Sequence, residues 1–280
     1  MNTLIKSFLI LVFTLFTTTS NAECTSVVRY INGVWNENIK ASNNTTDVLY
    51  AALKTDSRIC VESPLFNPSQ SYLIDIAETF ALKRVVEDGF WSTFKNGLVS
   101  GVISGIGNVI AAFTGVNPLL ENQKVLDDMY TNVKSDLIAG KGVILVAHSE
   151  GNLFALRLKQ MANQDGYTDD LKFKIVHLAP PTFVTQELGR NVYIRSDKDG
   201  VISSLLFNKN TVNFVPTSDT SLGGHGMLST YLNTEMTGNF TNFLCQSSLE
   251  NTKELVINSV KRAATCQTGD PCVFIGFSSC

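Results

Sequence analysis

V-I-L-V-A-H-S-E-G-N-L-F-A, residues Val143–Ala155, is the stretch from which the fold is read. Val143 to Ala147 is an unbroken, β-branched apolar run bounded by Gly140 and Gly142. A run that short and that apolar fits a strand buried on both faces of a parallel sheet. After His148, Ser149, Glu150 and Gly151, the spacing of Leu153, Phe154, Leu156, Leu158 and Met161 is helical. A strand therefore turns sharply into a helix, with a serine at the bend. Such a turn needs small residues two positions either side of the serine, and Ala147 and Gly151 supply them. The helix start adds partial positive charge and N–H groups beside the hydroxyl. A second reading makes Ser149 an ordinary helix N-cap.

The remaining elements alternate between strand and helix. Ser26–Ile31 reads as a first strand, followed by Asn32-Gly33-Val34. Asp47–Lys54 suggests a short helix, and Tyr72–Phe94 has helical apolar spacing. Val125–Ile138 is amphipathic, with Val125, Met129, Val133 and Leu137 on one stripe. Strands are expected at Lys172–Ala179, Asn191–Arg195 and Thr211–Val215, the first and last closed by prolines. The fold class is therefore α/β, a mostly parallel central sheet flanked by helices.

The chain has 280 residues, 44% hydrophobic and 17% charged, so it can bury a large core. Its net charge of −3 and the lack of a basic run argue against a nucleic-acid partner. Met1–Ala22 reads as a secretory signal peptide: Lys6, an apolar run over Phe8–Phe16, then Ser20-Asn21-Ala22 as a small-x-small cleavage site. The mature protein is then exported, periplasmic or secreted. Cys24, Cys60, Cys245, Cys266, Cys272 and Cys280 form an even set in an exported chain, and disulfides are expected, with pairs inside each cluster the simplest arrangement. No C-x-x-C occurs and no histidine lies near the cysteines, so neither metal nor cofactor is expected. Residues 23–244 are read as the main domain and 245–280 as a Cys-rich, disulfide-pinned C-terminal appendage. Asn96–Leu120 is free of charge and carries Gly97, Gly101 and Gly105 at four-residue spacing. It reads as a buried helical hairpin, as a lid or membrane-surface contact, or as a membrane span.

The turn at Ser149 resembles the nucleophile elbow of the α/β-hydrolases, in an A-x-S-x-G form also found among small lipases of that family. The resemblance implies a Ser, acid, His chain order. It also implies an oxyanion hole from the Glu150 N–H and an N–H after the first strand. N-G-V at Asn32–Val34 is similar to the family's H-G-φ loop, with Asn32 in the His place; this makes the Val34 N–H the second donor. The other reading of that stretch is a plain turn using Gly33 for positive φ.

A serine hydroxyl needs a base, and an imidazole base needs a carboxylate to fix its tautomer. Of three histidines, His148 adjoins the serine and should point away from the hydroxyl, while His177 precedes any candidate acid. His225, in L-G-G-H-G-M beyond the last strand, fits the order. Asp197 and Asp199 both follow the strand at Asn191–Arg195. Asp199 is preferred because D-G-V resembles the family's D-P-V, with Asp197 the alternative. A calcium loop at D-K-D-G fails for want of the later acidic ligand. The expected activity is that of a serine hydrolase acting on an ester or lipid. A non-catalytic hydrolase-like binding or surface protein is the rival. The oligomeric state is left open.

Overall fold

The computed structural model describes residues 24–33, 39–68, 118–181, 192–196, 199, 214–215, 225–235, 237–241 and 247–267. In chain order these form β1 (Ser26–Ile31), α1 (Ile39–Leu53), β2 (Ile59–Val61), α2 (Pro118–Ile138), β3 (Gly142–His148), α3 (Gly151–Gln164), β4 (Phe173–Leu178), β5 (Val192–Ser196) and β6 (Phe214–Val215). A π-helical turn (Met227–Tyr231), β7 (Thr237–Thr241), β8 (Ser247–Asn251) and α4 (Thr252–Gln267) follow. The expected signal peptide, the helix at Tyr72–Phe94, nearly all of the Asn96–Leu120 insertion, Val34, Asp197, and Cys245, Cys272 and Cys280 lie outside the described residues. Among the described residues no helix is long and apolar enough to cross a membrane.

Six strands form one sheet in the order β2-β1-β3-β4-β5-β6, every neighbouring pair parallel. Strand alternation sorts the central side chains onto two faces. Val28, Tyr30, Ile144, Val146, Val176 and Leu178 pack against Leu49 and Leu53 of α1 and Val256 and Val260 of α4. Val143, Leu145, Ala147, Phe173 and Ile175 pack against Met129 and Val133 of α2 and Leu153, Phe154 and Leu158 of α3. Both faces of β3 are thus covered, which is why its sequence is continuously apolar rather than alternating. On the second face a part-buried ion pair, Arg29 to Asp136 at 2.7 Å, ties β1 to α2.

Several elements differ from the sequence reading, among them α2, which begins at Pro118 rather than Val125. Helix α1 begins at Ile39, eight residues before Asp47, because the first inward positions are Ser42 and Thr45 rather than apolar residues. Inward-facing Thr45 returns its hydroxyl to the carbonyl of Ala41, and Thr46 beside it bonds the carbonyl of Ser42; the Ser42 hydroxyl has no partner among the described residues. Strand β2 is three residues long, too short to show a period. The reading of 245–280 as an appendage does not hold for residues 247–267. Strand β8 pairs antiparallel with β7, and Val256, Val260, Ala263 and Ala264 of α4 are buried in the first core layer. Asn251 accepts the Glu254 N–H at 2.8 Å, an N-terminal cap in an N-x-x-E sequence.

Cys24 and Cys60 are disulfide-bonded, joining the entry of β1 to β2 across 36 residues. Closing a loop of that length in the unfolded chain stabilises the fold by about 3–4 kcal/mol. Reduction, or Cys24→Ser with Cys60→Ser, should lower the melting temperature by roughly 10 °C. An unchanged thermal scan with and without reductant would show that the bridge contributes nothing.

Candidate active site

The chain runs from β1 outward to β2 and then returns to place β3 on the other side of β1. In a parallel sheet such a reversal opens a crevice beyond the carboxyl ends of the two strands, where ligands bind. The residues at this crevice are Asn32 and Gly33 after β1 and His148 and Ser149 at the end of β3.

Ser149 has φ +54°, a left-handed conformation rare for a residue with a side chain. Its backbone is fully tied: its N–H donates to Leu178 O at 2.9 Å, and its carbonyl accepts both the Asn152 N–H at 3.0 Å and the Asn152 side-chain amide at 2.7 Å. The amide also donates to Leu178 O at 2.9 Å, so one buried asparagine stitches the bend to the end of β4. Glu150 takes the N-cap position of α3, so the N-cap reading of Ser149 does not hold; its hydroxyl is engaged elsewhere. Gly151 has to be glycine because a Cβ there would lie 2.6 and 2.7 Å from the carbonyl oxygens of Ile31 and Asn32. The close approach is to the end of β1, the strand beside β3.

Gly33 faces the serine directly. A Cβ on it would overlap Ser149 Cβ and sit 2.6 Å from the His148 carbonyl. Its φ is not in the left-handed region, so the reading that Gly33 serves a positive-φ turn is corrected: it is small because the loop after β1 lies on the elbow. Buried Asn32 holds that loop. Its amide donates to Asn67 O at 2.6 Å and its Oδ1 accepts the Asn67 N–H at 2.7 Å. The Asn67 side chain in turn donates to the buried Glu150 carboxyl at 2.9 Å.

His225 Nε2 lies 2.9 Å from Ser149 Oγ, and its Nδ1 lies 2.9 and 3.0 Å from the two oxygens of Asp199. A carboxylate accepts, so Nδ1 donates and the Nε2 lone pair faces the serine O–H. Asp199 stands just past β5, and Tyr231 donates its hydroxyl to the same carboxylate at 3.0 Å. All four residues are buried, with Ser149 2% exposed. Of the sequence candidates, Ser149, Asp199 and His225 are brought together, and Glu150 follows the serine at the start of α3. Val34 and Asp197 are outside the described residues.

Sequence reasoning missed four other participants. Tyr231, Asn67 and Asn152 stand in no recognisable spacing. The Ser149 hydroxyl's partner is His225, while His148 Nε2 lies 2.9 Å from the His225 carbonyl oxygen. A carbonyl accepts, so Nε2 carries the proton, and Nδ1 has no partner among the described residues. Burial, and then the nearby His225, hold the His148 imidazole well below its usual titration range.

His177 stays in the sheet, its Nδ1 2.8 Å from Asn152 Oδ1. That oxygen accepts, so Nδ1 donates. Burial first, and Lys159 second, depress its pKa to about 3. Between about pH 3 and the unfolded value near 6.5 the unfolded chain binds the proton that the native chain refuses. The His177 contribution to stability therefore falls as pH drops through this window, by up to about 1.4 kcal/mol per pH unit, and levels off below it. Urea midpoints at pH 7, 5 and 4 should decline, and His177→Asn, which keeps a donor toward Asn152, should make the decline shallower, with buried His148 contributing the rest. Equal slopes for the two proteins would remove His177 from the account.

Among the described residues no group of three or more His, Cys, Asp or Glu side chains could hold a metal ion. No protein-family model, curated protein or solved structure matches this chain.

Proposed function

We propose that this protein is an exported serine hydrolase of the α/β-hydrolase type, cleaving carboxylic esters or lipids through an acyl-enzyme. The observation that carries the reading is the continuous hydrogen-bonded line from Ser149 Oγ through His225 to Asp199, with the serine held in a left-handed turn at a sheet switch point.

In the proposed reaction His225 Nε2 takes the Ser149 proton as Oγ bonds to the ester carbonyl carbon. Asp199 keeps the imidazole in the required tautomer and balances the charge it gains. The oxyanion is held by the N–H groups of Glu150 and, following the family resemblance, Val34. Collapse expels the alcohol, which receives the proton from His225. Water then loses a proton to His225 and attacks the acyl carbon; the Ser149 Oγ–C bond breaks and Oγ recovers its proton. The Cys24–Cys60 bridge suits an oxidising compartment, in keeping with export.

A fluorophosphonate probe tests this, because it reports an activated serine without knowledge of the substrate. The wild type should label, and Ser149→Ala and His225→Ala should not. A native wild-type protein that stays unlabelled would favour the non-catalytic, binding-protein reading.

A further inference from the structure

Buried His148 is an expensive residue where it stands. One ring nitrogen has no partner among the described residues, and such an acceptor normally lowers stability. What the ring does make is a bond from Nε2–H to the main-chain oxygen of His225. Its ring lies 4.9 Å from the His225 ring and 5.5 Å from that of Tyr231, both of which contact Asp199. His148 also ends β3, immediately before Ser149. Nucleophile and base are therefore joined through the rigid end of one strand, by a connection separate from the Ser149–His225 bond itself.

We propose that His148 is a positioning residue that holds the His225 main chain against the elbow, and that the deacylation half of the reaction depends on it most. This rests on the hydrolase reading above. In the resting protein the Ser149 O–H helps to place the imidazole. Once Oγ carries an acyl group it has no proton to donate, and that link is gone. His225 must still stand where it can take a proton from water. At that stage Asp199 orients the ring, and His148 fixes the backbone from which the ring hangs.

The test compares His148→Phe, His148→Gln and His148→Asn with the wild type on p-nitrophenyl acetate, by steady-state and burst kinetics and by intact-protein mass. Glutamine can place an N–H near the position of Nε2; asparagine is too short, and phenylalanine has no donor. His148→Phe should lower kcat about 10- to 100-fold, the range expected for a misplaced base. Its kcat/KM should fall much less, and acetylated protein should accumulate. His148→Gln should recover most of kcat, and His148→Asn should not. Equal kcat in all four proteins, a parallel fall of kcat and kcat/KM, or no difference between Gln and Phe would overturn the anchor. Ser149→Ala run beside them separates the two failures: if it turns over or acetylates like the wild type, the hydrolase reading itself falls.

Discussion

Ser149→Ala should lose about four to six orders of magnitude in kcat on an activated ester while remaining folded. On the proposed mechanism the loss is large because serine, imidazole and carboxylate would act as one unit, and removing the serine would remove the covalent route. The fold should survive for local reasons. The left-handed turn is held by backbone and Asn152 hydrogen bonds that do not involve the hydroxyl, and alanine meets the same backbone strain as serine. The substitution removes one buried hydrogen bond, to His225, worth about 1 kcal/mol, so a melting temperature within a few degrees of wild type is expected. Adding His225→Ala to Ser149→Ala should reduce turnover little further, since the unit is already broken. Unchanged turnover in folded Ser149→Ala would exclude a serine mechanism.

Strand β3 is the most legible part of the chain, because burial on both faces writes itself as continuous apolar sequence, as in Val143–Ala147; the short parallel strand β2 is not legible. Helix α3 is legible because the bend before it leaves a strong composition signal. The start of α1 is not, since Ser42 and Thr45 take positions that periodicity assigns to apolar residues. Helix α4 was open to reading: Val256, Val260, Ala263 and Ala264 keep helical spacing after the Asn251 cap. The nearby cysteines pointed instead to a stapled tail.

The candidate site divides in the same way. Ser149 and His225 could be picked out because their chemistry and the chain order implied by the family resemblance constrain each other, and Asp199 is preferred to Asp197 through the likeness of D-G-V to the family's D-P-V. Their supports could not. Whether His148 grips the His225 backbone, or Asn67 reaches Glu150, depends on contacts between residues 77 and 83 positions apart, and neither local propensity nor spacing encodes such pairs.

Gly33 shows how much rests on a contact of that kind. Gly33→Ala should lower kcat/KM at least 100-fold, the loss expected from misplacing a catalytic group by about 1 Å. It should also reduce stability by about 1–3 kcal/mol through overpacking. The added carbon would overlap Ser149 Cβ and lie 2.6 Å from the His148 carbonyl oxygen and 3.0 Å from Ser149 Oγ. The first two are atoms that no side-chain rotation moves, so either the loop after β1 or the elbow must give way. The loop is held by Asn32 to Asn67, and the elbow is pressed on the end of β1 at Gly151, so a shift of either is felt at Ser149. Gly166→Ala is the matching control. Gly166 has φ +90° but nothing within 4 Å of an added Cβ, so alanine there strains the backbone by about 1 kcal/mol without crowding anything. It should lower the melting temperature and leave kcat/KM unchanged. If Gly33→Ala kept wild-type activity while Gly166→Ala lost stability as expected, the loop after β1 would not lie against the serine, and the proposal of an oxyanion donor in that loop would fall.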